Sequence, residues 1–298
     1  MAPLDGILVV DFTRHLPGPF ASRELLELGA RVVRVLPPGG DPLLATDPGW
    51  HEELNAGKES VTVDLKADAA PALELIAQAD VVLESFRPGV ASRLGIGPEH
   101  APDTAVYCSI TGFGADGRHA QRAGHDLNYL GWAGVLEHTA PALPPVQIAD
   151  FAGGALAAVT QILAALLERE KTGRGRHIVI SMTHNAHRLA SRPILTGDLA
   201  CYRIYAAADG RWLTVAALEP AFWQRLVELL DCPDLADRHY ADDQEALAAD
   251  LAAVFATRPL TEWLELFDGE DVCVGPVATR AEVERDLLCP DEARIVGP

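Results

Sequence analysis

The stretch "GILVVDFTRHLPGPFASRELLELGARVVRVL", residues 6–36, decides how this chain folds. Its first run, "GILVVDF", is apolar apart from Asp11, as suits a strand covered on both faces. "PFASRELLELGA" follows with proline near its start and glycine at its end, the order in which a helix begins and stops. "RVVRVL" is a second strand, and the loop "PPGGDP" comes after it. Strand, helix and strand in about thirty residues make a βαβ unit, whose strands run parallel.

The alternation continues outward through "SVTVDL" (60–65), the helical "AAPALELIAQA" (69–79), "DVVLES" (80–85) and "AVYCSIT" (105–111). From Asp150 the pattern changes to one long helix, "DFAGGALAAVTQILAALLEREKTGRG", with Asp150 as its expected N-cap and glycines closing it. "HIVISM" returns as a strand. "THNAHRLASRPILTGDLA" (183–200) is polar and irregular, and reads as a connection between domains. "YRIYAAADGRWLTVAAL" (202–218) is two strand-like runs joined through Asp-Gly, a hairpin signal. "PAFWQRLVELL", "DQEALAADLAAVFA", "TEWLELF" and "AEVERDLL" are helical. The expected class is α/β. A Rossmann-like parallel-sheet large domain covers residues 1–190 and a linker covers 191–204. A smaller α+β domain spans 205–280, and a C-terminal segment, 281–298, returns toward the large domain.

Bulk properties narrow the function. The chain has 298 residues, nearly half apolar, and a formal net charge of -19. That charge opposes nucleic-acid binding, which needs a basic footprint, but leaves room for a small phosphorylated ligand held by local arginines. Five cysteines, Cys108, Cys201, Cys232, Cys273 and Cys289, form neither a CxxC pair nor a zinc spacing, and no HxxxH pattern is present. Free thiols in a reducing compartment and no metal are therefore expected. The N-terminus lacks the cationic start of a signal peptide, and "ALAAVTQILAALL" is too short and interrupted to span a bilayer. These features predict a cytoplasmic protein with no membrane partner.

Two polar residues beside apolar runs carry the chemistry: His125 in "AGHDLNY" and Asp150 in "ADFAGG". Each alone has an ordinary explanation, Asp150 as a helix cap and His125 as one of ten histidines. Together they offer more. A carboxylate at a helix N-terminus lies beside N–H groups that can stabilise an oxyanion, and Gly153 and Gly154 would leave that end open. A histidine is a natural partner for proton transfer. An acid and a base flanking a carbon next to a carbonyl suit enolate chemistry, although the sequence does not itself bring the pair together.

The ordered motifs "AGHDLNY", "ADFAGG" and "ALEPAFW" resemble the signatures of 2-methylacyl-CoA racemases, a branch of the family III CoA-transferase superfamily. "PLDGILVVDF", "LPGPFAS", "LGARVVRV", "VTVDLK", "SFRPGVASRLGIGPE" and "TGFGADG" agree in order, so the likeness runs from residue 3 to about residue 285. The resemblance implies the family III CoA-transferase fold and an interlocked homodimer, whose active site combines one subunit's large domain with the other's small domain. It implies two-base 1,1-proton transfer at the α-carbon of a 2-methylacyl thioester, through an enolate. His125 and Asp150 would work on opposite faces, and Glu219 would tune the histidine's proton affinity. Coenzyme A, or its pantetheine arm, would be the substrate's carrier and no cofactor would join the chemistry. Its contacts would be Val63, Asp64, Leu65, Lys66, Ser85, Phe86, Arg87, Arg93, Gly124, Asp126, Leu127, Asn128 and Tyr129. The resemblance also supports an alternative, a CoA-transferase using Asp150 as nucleophile through an acyl-enzyme anhydride. A non-catalytic thioester-binding relative is a second alternative. The histidine of "GHD" and a single glycine in "ILTGDLACYRIY" favour the racemase branch.

Three departures bear on the carrier. Pro37 stands where the family pattern has an arginine for the adenosine end of CoA, and Arg34 lies three residues earlier. The basic loop of the pattern is "NAGKES", which retains Lys58. The connection after "MTHNAHR" is trimmed and the chain is short against the pattern. Each lost cation removes about a kcal/mol or more of phosphate binding, so weak CoA binding or a carrier-borne pantetheine thioester is expected.

Overall fold

The computed structural model describes residues 2–190 and 197–286, and the chain forms two compact units, Met1–Arg192 and Pro193–Pro298. In the first, β1 (Leu8–Asp11), β2 (Arg31–Leu36), β3 (Glu59–Thr62), β4 (Val81–Glu84), β5 (Val106–Thr111) and β6 (His177–Ser181) form one sheet in the order β3-β2-β1-β4-β5-β6. Every neighbouring pair is parallel, with Val9 opposite Val32 on one side and Val81 on the other. The valines that read as a continuous run are buried because helices cover both faces of the sheet. Helix α1 (Pro17–Glu27) begins on its proline, and α2 (Ala70–Ile76) buries Ala72 and Ile76 on the opposite layer.

The strand order reverses direction between β1 and β4. In open parallel sheets ligands sit outside the carboxyl ends of the strands at such a switch point. The loops following Asp11 and Glu84 both leave from that place.

Three sequence expectations are corrected here. Asp150 is not an N-cap: it is the second residue of a π-helical segment, Ala149–Leu156, that runs on into α4 (Ala157–Thr172) after α3 (Asp126–Ala133). The resulting helix, Ala149–Thr172, has 24 residues and is long and apolar enough, by length and composition alone, to cross a membrane. Its apolar stretch is therefore not too short, yet Ala158, Ile162 and Ala165 pack into the core against the sheet. Finally, the supposed connection begins as a helix, α5 (Met182–Ala190), which buries Met182, Thr183 and Ala186.

In the second unit, β7 (Tyr202–Ala206), β8 (Trp212–Ala216) and β9 (Val274–Pro276) make an antiparallel sheet, with the Asp209-Gly210 turn joining the first two. β7 starts inside the segment expected to be linker. Helices α6 (Pro220–Leu229), α7 (Gln244–Phe255) and α8 (Leu260–Phe267) supply Trp223, Leu251, Phe255 and Trp263 to its core. In α9 (Arg280–Asp286), Glu282 pairs with Arg211 of the same unit. Residues 287–298 of the expected C-terminal return, and 191–196 of the linker, lie outside the described residues.

Candidate active site

The loop between β1 and α1 is held from three sides. Thr13 donates through its N–H and Oγ1 to Asp11 Oδ1, at 2.8 and 2.5 Å. The Arg14 N–H donates to Ser85 Oγ at 3.3 Å, tying this loop to the one after β4. Lys58 donates to the Pro19 carbonyl at 2.7 Å and to Ser22 Oγ at 2.8 Å. Burial first, with the nearby Arg34 and Arg23 charges adding to it against the opposing Asp11, lowers the Lys58 ammonium to about 8. Lys58 therefore braces the loop from beneath and is not a free cation for a ligand.

Motif "AGHDLNY" is shaped by Tyr129. Its hydroxyl donates to the Gly124 carbonyl at 2.5 Å, and a Cβ on residue 124 would stand 2.7 Å from the tyrosine ring. Glycine at 124 is thus required by close approach. His125 follows in extended conformation as the N-cap of α3, its N–H donating to Asn128 Oδ1 at 3.1 Å. Its ring is left exposed.

Asp150 is only 9 % exposed. Burial first, and the neighbouring Asp126 second, push its carboxyl up to about 7. Its N–H donates to Asp126 Oδ1 at 2.9 Å, so the backbone donor expected to serve an oxyanion is already occupied. The double glycine is not an open end either. A Cβ on Gly153 would lie 2.8 Å from the Met182 carbonyl, and one on Gly154 would lie 3.1 Å from the Met182 side chain. The glycines admit α5, and Asn185 Nδ2 satisfies the Gly153 carbonyl at 2.8 Å. Short π-helical segments inside α-helices are frequent at functional sites.

Two cavities meet at these residues. The first, about 450 Å³, is lined by Arg14, Ser85, Phe86, Arg87, Gly124, Asn128 and Tyr129, among others. The second, about 390 Å³, is lined by the apolar Leu43, Trp50, Leu127, Leu143 and Val146 with Asp126 and Gln147. Only His15, His125 and Asp150 line both. A third cavity, about 360 Å³, is bounded by Val63, Asp64, Leu65 and Lys66 and shares Arg14 and Phe86 with the first. The three form a path across the switch point, and the Arg14 guanidinium lies 5.9 Å above the Phe86 ring where two of them join.

Most sequence-predicted site residues therefore converge. Arg93 ends the short helix Val90–Arg93 and lines none of these cavities. Glu219 belongs to the second unit, where it is exposed as the N-cap of α6. Pro37 lines the third cavity, and Arg34 does not replace the absent guanidinium, being buried in an ion pair with Asp41. Sequence reasoning missed Arg14, His15 and Arg122. The only available signal was their place in loops leaving strand ends. Among the described residues, no three His, Cys, Asp or Glu side chains cluster as a metal site would require.

The family model for CoA-transferase family III matches residues 4–291. The chain belongs to CoA-transferase family III. Alpha-methylacyl-CoA racemase of Homo sapiens is 35% identical over 99% of this chain and 85% of its own length. Succinyl-CoA:glutarate CoA-transferase of Homo sapiens is 31% identical, over 92% of this chain and 72% of its own. Among solved structures, Rv3272 from Mycobacterium tuberculosis superimposes with TM-score 0.83 at 30% identity, covering 95% of this chain and 85% of that one. A CAIB/BAIF family protein from Brucella suis gives 0.79 at 30%, over 96% and 86%. Isomerases and transferases thus both occur among the family III relatives of this chain.

Proposed function

We propose that the protein is a racemase or epimerase of 2-methylacyl thioesters that moves the α-proton through an enolate. One observation carries this reading: an imidazole and a buried carboxyl group, His125 and Asp150, stand together where a polar cavity meets an apolar one. A thioester lying across that junction would place its acyl chain among Leu43, Trp50, Leu143 and Val146 and its carrier arm along Ser85–Arg87. The α-carbon would then fall between the two groups. A carboxyl group raised to about 7 exchanges protons readily near neutrality, and an imidazole is a common second proton carrier. One group removes the α-proton as the other returns a proton to the opposite face. Among the described residues, no lysine or arginine lines the apolar cavity, which suits a hydrocarbon chain better than a second carboxylate.

The carrier is coenzyme A or a pantetheine arm. Its nucleotide end would reach Val63–Lys66, where Arg14 and Lys66 are the lining cations and Pro37 is not one. Each missing charge-assisted contact is worth about 1.5–3 kcal/mol. The same acyl group should therefore turn over on pantetheine or a carrier protein with kcat/KM within about tenfold of that on CoA. A strong preference for CoA would overturn this assignment. Glu219 we assign to tuning the histidine in an interlocked homodimer. Glu219→Gln should shift one limb of the pH–rate profile while leaving KM unchanged.

A second reading has specific support, since transferases stand among the relatives at 31–32% identity. In it Asp150 attacks the thioester carbonyl and carries the acyl group as an anhydride. Hydroxylamine trapping of an acyl group on Asp150 distinguishes it. Incorporation of solvent deuterium at the α-carbon without acyl exchange supports the racemase.

A further inference from the structure

Arg14 stands where the first cavity passes into the third, and Phe86 is the one other residue that lines both. Its loop is braced by Asp11 and Lys58, and its own N–H is bonded to Ser85 Oγ. The half-buried guanidinium lies over the Phe86 ring, 5.9 Å from the centroid. Among the described residues it forms no ion pair with a carboxylate. That is notable in a chain with 43 acidic residues against 24 lysines and arginines. Arg23, Arg31, Arg34, Arg169 and Arg176 all hold carboxylates. A guanidinium drawn half out of water and kept apart from carboxylates is left for an anion from outside the chain.

The chemistry of the carrier identifies that anion. With the thioester at His125 and Asp150, the arm runs along Ser85–Arg87 toward the third cavity. The arm carries amides and a hydroxyl but no charge before its terminal oxygen. In coenzyme A and on a carrier protein alike, that oxygen is esterified to phosphate. This phosphate is the first anion to reach the passage between Arg14 and Phe86. Beyond it, Val35, Leu36, Pro37, Pro38 and Val63 offer no side-chain partner to a nucleotide. Lys66 is the other lining cation, but it is exposed, and Asp64, whose Oδ1 accepts its N–H at 3.1 Å, sets a negative charge beside it.

We propose that Arg14 binds the phosphate ester at the end of the carrier arm, so that the site selects phosphopantetheine thioesters whether or not a nucleotide follows. The inference rests on the carrier reading above and is indifferent to whether the arm's acyl group undergoes proton transfer or acyl transfer.

The test measures Kd by calorimetry for coenzyme A, phosphopantetheine and pantetheine on the full chain, as wild type, Arg14→Gln and Arg14→Lys. Phosphopantetheine stands in for the arm of a carrier protein. Alpha-proton exchange and acyl transfer are followed separately with the 2-methylacyl thioester of each. Removing Arg14 leaves no buried carboxylate unpaired, so both variants should melt with the wild type. A charge-assisted hydrogen bond at a half-exposed site is worth about tenfold in Kd. Coenzyme A and phosphopantetheine should bind within about threefold of each other and about tenfold tighter than pantetheine. Arg14→Gln should erase that tenfold preference while the Kd for pantetheine changes less than about threefold. Arg14→Lys, which keeps the charge, should retain part of it. Equal weakening of all three ligands, or an unchanged preference in Arg14→Gln, overturns the proposal. Coenzyme A binding more than about tenfold tighter than phosphopantetheine also overturns it, since the recognised group would then lie in the nucleotide. Binding that depends on Arg14, without α-exchange, supports the proposal and overturns the racemase reading alone. Wild type that binds none of the three overturns both this inference and the carrier reading.

Discussion

Asp150→Asn will abolish α-proton exchange and, at pH 8, will make the protein more stable. Asparagine retains the shape of the carboxyl group but cannot take or give the proton, and loss of a positioned acid–base group costs about 10²–10⁴-fold in rate. The stability change has the opposite sign and a separate cause. Burial raises the Asp150 carboxyl from an ordinary value of 3.8 to about 7, so between those pH values the native state holds a proton that the unfolded chain has released. Unfolding free energy then falls as pH rises. The contribution is fully present below about pH 4 and is lost as pH passes through 7. Asparagine is immune to that loss. The variant should match wild type near pH 4 and exceed it at pH 8 by about 3–4 kcal/mol at most, from roughly three units at 1.36 kcal/mol each. Urea unfolding at the two pH values measures this directly. Equal stabilities at pH 8 would show that Asp150 ionises without penalty and is not the buried acid described.

Gly153→Ala should damage the site without touching it. The added Cβ would stand 2.8 Å from the Met182 carbonyl, a backbone atom that cannot swing aside as a flexible side chain would. Either α5 retreats or the π-turn unwinds, and both move Asp150, three residues away. Overpacking of this kind costs about 1–3 kcal/mol, and a displacement near 1 Å at a reacting group costs about 10²-fold in rate. Thermal melting and α-proton exchange together check the prediction. Wild-type activity at a lowered melting temperature would mean that the π-turn does not set the carboxyl position.

The same pair of features shows why sequence reading succeeded in places and failed in others. β1, β2 and β4 announced themselves because strands buried on both faces are rich in valine and leucine, and parallel pairing follows from the helices between them. The Asp209-Gly210 hairpin was legible from two residues, since few others adopt its turn. Asp150 was misplaced as a cap because a π-turn differs from a helix start only in which carbonyl each N–H reaches. The neighbour packed against that turn is α5, whose Asn185, 35 residues after Asp150, bonds the Gly153 carbonyl. Helix α5 was itself missed because its buried face is short, Met182, Thr183 and Ala186, and acquires meaning only against its neighbour. Arg14 and His15 escaped notice for a related reason. A loop of a few residues carries no periodicity, and only the finished sheet shows that it leaves the switch point.

The ordered motifs around His125 and Asp150 have a physical basis in the packing around the two side chains. Tyr129 demands Gly124, α5 demands the double glycine, and Asp126 Oδ1 accepts the N–H of Asp150. The letters surrounding His125 and Asp150 thus describe how these side chains are held.

The most direct measurement starts from one enantiomer of a 2-methylacyl-CoA in deuterated water and follows the α-position by NMR, with hydroxylamine added in a parallel sample. Deuterium should enter the α-carbon and the opposite enantiomer should accumulate while the acyl group stays on its carrier. An α-carbon that remains fully protiated while hydroxylamine collects the acyl group from Asp150 would contradict the account.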